Sequence, residues 1–294
     1  MDILISTALL NYTGVPTYTL TLYNQLVARG HKVVVYSPEG GALAARMNTI
    51  SSLLLAERPD VILAQHGTLA REMRNKWLDT PMIFTSHGIL PELEQPPVDI
   101  HIDKYIAVSE EVLLNLASYD ITNVQIVRNF IDTDRFHCTK PVSEKPKRLL
   151  FLSNFKRWRT YETIQKACKI MGIEFRHLGY TSHPKYNVED YINEVDIVIS
   201  LGRGVLEAMA CCRPVIVFDR RRGDGYINKD TYRRSRMNNL SGRAYSLECK
   251  TKVFTGLISQ YKPEDGITNR NIVLEHHNHV KAVDTIMEII KEVT

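Results

Sequence analysis

Cysteine, tryptophan and long apolar runs are all scarce in this chain of 294 residues. The five cysteines, Cys138, Cys168, Cys211, Cys212 and Cys249, are odd in number, scattered and without a CxxC pair, which argues against a disulfide framework and a zinc ribbon. A reducing compartment fits such usage best. No apolar run approaches the roughly 18 residues that read as a membrane span. The opening MDILISTALLNYTG has neither a basic leader region nor a typical cleavage site, so an unprocessed chain is expected. The localisation expected is cytoplasmic, with peripheral membrane contact as a second setting. Strong net charge is missing too: the formal value is +4, although Arg220 to Arg236 holds seven basic residues against two acidic ones. A local patch of that kind suits phosphate-bearing ligands, anionic lipid or nucleic acid, and equally an ordinary solvated surface.

What the chain does have is alternation. Short apolar runs at Ile3–Ser6, Lys32–Tyr36, Val61–Ala64, Met82–Ser86, Tyr105–Val108 and Gln125–Arg128 read as strands, and helical periodicity lies between several of them. Strands alternating with helices imply a parallel sheet covered on both faces. The polar stretch Cys138–Arg148, with two prolines and four basic residues, interrupts the pattern and reads as a linker. A second alternating set follows, from Leu149–Leu152 through Glu174–Leu178 to Val215–Phe218. The expected domains are therefore 1–140 and 145–276, with a C-terminal amphipathic helix over 277–294 carrying Val280, Val283, Ile286, Met287 and Ile290 on one face.

Residues just past strand ends face the ligand crevice of a doubly wound sheet. Two histidine–glycine pairs, His66-Gly67 and His87-Gly88, fall there, and His87 is the stronger functional candidate. The loop with Tyr12, Thr13 and Gly14 follows the first strand and is a candidate acceptor site. The second half is organised around SLGRGVLEAMACCRPVIVFD, residues 200–219. Strand, glycine turn (Gly202, Arg203, Gly204), helix and strand follow in that order. A glycine turn at a helix start can offer backbone N–H groups and the positive end of the helix dipole to an anion. Arg203 would add a forked cation, and Glu207, one turn later, could accept hydrogen bonds from sugar hydroxyls. A buried turn with a solvated Arg–Glu pair would give the same pattern.

Several segments, in order, resemble retaining glycosyltransferases of family 4, which have the two-Rossmann-domain GT-B architecture. ARGHKVVVYS, PMIFTSHGI, YIAVSEEVLLNL, VQIVRNFIDTDRF and VDIVISLGRGVLEAMACCRPVIVFD carry the resemblance, over residues 1 to about 225. It implies an α/β fold of two Rossmann-like doubly wound sheets facing a cleft, with the acceptor on the N-terminal domain and the donor on the C-terminal one. It also implies transfer of a sugar from a nucleotide-diphosphate sugar with retention, without a required metal or other cofactor. The donor set would be Asn154, Lys156, Arg157, Arg159, Gly202, Gly204, Val205 and Glu207, with Glu207 on the ribose. His87 and Arg203 would be catalytic, and Tyr12, Thr13, Gly14 and His66 would meet the acceptor. Asn154 stands where the family usually has arginine, Arg159 where it has lysine, and Ile199 where it commonly has a second glutamate.

The acceptor expected is a glycan, a lipid-linked molecule or a small molecule. Two other readings accompany this one. Nucleic acid could be the acceptor, since DNA-modifying glucosyltransferases share the GT-B fold; the altered positions Ile199 and Asn154 motivate an inactive nucleotide-sugar-binding or scaffold protein.

Overall fold

The computed structural model describes residues 1–154, 159–179, 185–218 and 222–294. The chain divides into two compact units, Met1–Asn129 with His279–Thr294, and Phe130–Asn278.

The first unit runs β1 (Asp2–Ser6), α1 (Gly14–Ala28), β2 (Lys32–Tyr36), β3 (Thr49–Ile50), β4 (Val61–Ala64), α2 (Gly67–Lys76), β5 (Met82–Ser86), β6 (Lys104–Ala107), α3 (Glu110–Ala117) and β7 (Val124–Ile126). The seven strands pair in parallel in the order β3-β2-β1-β4-β5-β6-β7. Every residue of β4 and β5 is buried, as expected of central strands with helices on both faces. Gly30, at φ 83°, closes α1: its amide reaches the Val27 carbonyl and that of His31 reaches Leu26, satisfying the last carbonyls of the helix.

The second unit runs β8 (Arg148–Leu152), α4 (Arg159–Met171), β9 (Glu174–Leu178), α5 (Val188–Asn193), β10 (Ile197–Ser200), α6 (Arg203–Ala210), β11 (Val215–Phe218), β12 (Gly223–Tyr226), α7 (Lys229–Ser235), α8 (Thr251–Ile258) and α9 (Glu264–His276). Its sheet order is β12-β11-β10-β8-β9, all parallel except for β12, which runs antiparallel to β11 at the edge. Burying a side chain such as Ile197, Ile199 or Phe218 contributes about 1.5–3 kcal/mol, and each of these is fully enclosed.

The last helix, α10 (His279–Val293), returns to the first unit and packs on α1. Val283, Ile286, Ile289 and Ile290 are buried, and Arg29 pairs with Asp284 at 2.6 Å. Val280, expected on the apolar face, is 41% exposed instead; Ile289 takes its place because the helix presents a slightly rotated stripe to α1.

The polar stretch Cys138–Arg148 lies within the second unit, and the division falls earlier, between Asn129 and Phe130. The carboxylate of Asp196 fixes it, accepting hydrogen bonds from the amides of Ser143, Lys147 and Arg148 at 2.8–2.9 Å. Lys140 and Glu194 form a further ion pair across it.

Candidate functional site in two parts

In the second unit, β10 ends at Ser200 and the chain turns through Leu201 and Gly202 into α6. Gly202 is the N-cap, at φ 52° and ψ −120°, a conformation that favours glycine, and no side chain caps the helix. Its amide is held by the Leu240 carbonyl at 2.9 Å. Gly204 passes so close to Ser200 that a Cβ there would collide with the hydroxyl, which itself donates to the Leu152 carbonyl at 2.8 Å. The requirement for glycine at 204 is therefore one of packing.

Arg203 is buried, donates through Nη1 to the Phe130 carbonyl at 2.5 Å and lies 3.5 Å from Glu207 through Nε. Its guanidinium thus anchors the start of the unit as well as facing Glu207. The Glu207 side chain is 13% exposed. Burial raises the pKa of its carboxyl, and the cations of Arg203 and Arg135 oppose that rise. Arg135 was not singled out by sequence. It pairs with Glu189 at 2.7 Å and lies 4.1 Å over the ring of Tyr186. Its position follows from a tertiary return that no spacing in the chain announces.

Among the other donor candidates, Arg159 is exposed and opens α4, and Asn154 is half-buried after β8. Lys156 and Arg157 lie outside the described residues. The side chain of Val205 sits in the core, so only its backbone could reach a ligand. Ile199 is likewise a core residue of β10, in register with Phe151 and Ile216.

In the first unit, His66 and His87 follow neighbouring parallel strands, β4 and β5. His87 is buried, and its Nε2 lies 2.5 Å from Oε1 of Gln65; its ring meets Tyr18 edge-on at 4.8 Å. Because a carbonyl oxygen only accepts, His87 donates through Nε2. Gln65 is 1% exposed, and its Nε2 has no hydrogen-bond partner among the described residues. An enclosed amide N–H without an acceptor is costly, so a ligand oxygen would be welcome there. His66 instead accepts the amide of Ala8 through Nδ1 at 3.0 Å, and burial pulls its pKa down to about 4, leaving it neutral. It ties the end of β4 to the loop that carries the acceptor candidates. In that loop Tyr12 and Thr13 are half-buried; Gly14 is exposed, and a Cβ at Gly14 would meet nothing within 4 Å.

One more group stands against Gly88, the residue after His87. After Gly88 the chain forms a compact loop in which Gln95 donates to the Ile89 carbonyl at 2.9 Å and Tyr105 to that of Pro97 at 3.2 Å. The carboxylate of Glu94 lies against Gly88, where a Cβ would collide with it. Burial raises its pKa to about 7. Its signal in the sequence was no more than one acid in ELE, indistinguishable from surface charge.

The comparisons agree with this architecture. Residues 38–135 match the family model described as Glycosyltransferase Family 4. No curated protein sequence matches the chain. An alpha-glucosyltransferase solved with UDP and a 13-mer DNA containing an HMU base is similar in fold: TM-score 0.63, 10% identity, 99% of each chain covered. The calicheamicin glycosyltransferase CalG4 gives 0.59 and 11%, over 100% of this chain and 99% of the other. A point mutant of S. aureus TarM, solved with Fondaparinux, alpha-GlcNAc-glycerol and UDP, gives 0.53 and 13%, over 78% of this chain and 55% of the other. The likeness to these solved structures is one of fold, the two-domain GT-B architecture. The family match, over about a third of the chain, makes its sequence similar to the family 4 glycosyltransferases. Among the described residues, no helix is long and apolar enough to cross a membrane.

Proposed function

We propose that the protein transfers a sugar from a UDP-sugar to an acceptor hydroxyl, with retention at the anomeric carbon and without a metal. The observation that carries this reading is Glu207, held one helical turn into α6 behind an uncapped glycine turn, with two arginines around it. UDP is the nucleotide named with the alpha-glucosyltransferase and with the TarM mutant.

In the proposed reaction the acceptor oxygen forms a bond to the anomeric carbon as the bond to the diphosphate oxygen breaks. The diphosphate gathers negative charge. The amides at the start of α6 and the exposed cation of Arg159, with Lys156 and Arg157, would stabilise it, which is the work a metal would otherwise do. Glu207 would hold the ribose hydroxyls. The acceptor would enter on the face the diphosphate leaves, and the departing phosphate would take its proton. His87, its ring fixed by Gln65, would hydrogen-bond the transferred sugar, and the loop at Tyr12–Gly14 would meet the acceptor.

The test is UDP release from a panel of UDP-sugars in EDTA, followed by NMR assignment of the product's anomeric configuration. Release from one donor with an α-linked product from an α-donor supports the reading. A metal requirement or an inverted product would overturn that part of it. UDP binding with no release across the panel would favour the scaffold reading.

The reading in which nucleic acid is the acceptor is favoured by one comparison: alpha-glucosyltransferase structures solved with DNA align over 98–100% of both chains.

A further inference from the structure

The segment from Arg222 to Tyr245 was legible in the sequence only as a run of charge. Folded, it forms β12, α7 and the turns that follow. Its acids do little to offset its cations. Asp224 is 3% exposed and turns inward, accepting the amides of Ala244 and Tyr245 at 2.8 and 3.2 Å. Asp230 sits in the first turn of α7, as suits an acid near a helix N-terminus, and although it is three and four residues before Arg233 and Arg234 it makes no ion pair with either.

The cations stay outside. Arg222, Lys229, Arg233 and Arg234 are exposed, and no described carboxylate pairs with Lys229, Arg233 or Arg234. Elsewhere the protein pairs its arginines readily, as in Arg29–Asp284, Arg71–Asp99 and Arg176–Glu174. Aromatic rings are interleaved as well: Arg234 lies 4.6 Å over the exposed Tyr245, and Arg236 lies 5.9 Å over Tyr232. The sequence hid this, because Tyr245 comes back to Arg234 from eleven residues away.

We propose that this face of the second unit binds the phosphate backbone of a nucleic acid. Spaced, unpaired arginines with an exposed ring among them suit a strand of phosphates and stackable bases. An anionic lipid surface would use the cations but needs an apolar wedge, and Met237 is the one large aliphatic side chain exposed in the segment. The face also joins the donor turn directly, since the Leu240 carbonyl holds the Gly202 amide. A hydroxyl borne by a strand bound there, on a ribose or a modified base, would come beside the turn assigned to the donor. In that purpose the inference rests on the transferase reading; the binding itself is measured independently.

The experiment is fluorescence anisotropy with labelled 20-nucleotide single-stranded and 20-base-pair duplex DNA at 50 and 200 mM NaCl. It uses the full chain and a Lys229→Ser, Arg233→Ser, Arg234→Ser variant. All three side chains are exposed, so the melting temperature should hold. With about four phosphates neutralised, affinity should fall about 100-fold between the two salt concentrations. The variant should bind at least 10-fold more weakly at 50 mM while keeping the wild-type thermal shift with UDP. No binding at 50 mM, equal binding by the variant, or binding to phosphatidylserine vesicles but not to DNA would overturn the proposal. Absence of a UDP shift in both proteins, with DNA binding intact, would count against the donor reading alone.

Discussion

His87 Nε2 lies 2.5 Å from Gln65 Oε1, so the residue that ends one strand fixes the ring that ends the next. Gln65→Leu keeps the volume and removes the acceptor along with the partnerless Nε2. It should lower turnover about 10- to 100-fold, the scale of a misplaced active-site group, with little change in donor KM or melting temperature. Turnover equal to wild type would show that the orientation of His87 is unimportant. Loss of folding would show that Gln65 is chiefly structural.

Gly14 opens α1 with a negative φ and free space beyond its Cα. Gly14→Ala should therefore leave stability unchanged or raise it by about 0.4–1 kcal/mol, through a less flexible unfolded chain. If an acceptor approaches there, the same variant should raise acceptor KM several-fold. Unchanged kinetics would remove Gly14 from the acceptor site.

Glu94 has its folded-state pKa raised from 4.5 to about 7 by burial. A carboxyl raised in this way favours the folded state at low pH, and the contribution is lost as pH climbs from about 4.5 through 7. Glu94→Gln should accordingly be more stable than wild type at pH 8, by about 1–3 kcal/mol, with the difference gone near pH 4.5. Urea melts at the two pH values check this. A constant difference would mean that the carboxyl does not titrate differently on folding.

His66 runs the other way. Its folded-state pKa is lowered from 6.5 to about 4, so the unfolded chain binds the extra proton first as pH falls between those values. Stability should drop by about 1–3 kcal/mol across that window on this account. In His66→Gln, which can still accept the Ala8 amide, that part of the pH slope should vanish.

Much of the framework was legible because buried parallel strands are written as local apolar runs. Lys32–Tyr36, Val61–Ala64, Met82–Ser86, Glu174–Leu178 and Val215–Phe218 are strands over those very residues. Gly223–Tyr226 was not legible as a strand: GDGY has little β-propensity and pairs at an edge with a register shift, so its order comes from tertiary contacts. Leu53–Glu57 has a helix-like sequence, yet only Leu53–Leu55 turns, as one short 3-10 turn capped by Ser52 before the chain extends toward β4. The site divides in the same way. Gly202 and His87 lie at element boundaries, which sequence marks, and Glu207 follows one helical turn after such a boundary. Gln65 and Arg135 meet partners 22 and 54 residues away, and Glu94 meets Gly88 only once their loop has closed, so their own surroundings in the chain carry no sign of it.

The proposed donor site in the second unit is tested most directly by calorimetric titration of UDP, in EDTA, into wild type and Glu207→Ala. The account predicts metal-independent binding, weakened in the variant by roughly 1–3 kcal/mol, or about 5- to 150-fold in Kd, as when a buried hydrogen-bond partner is lost. Equal affinity in a folded variant, or binding that needs a divalent metal, would contradict it.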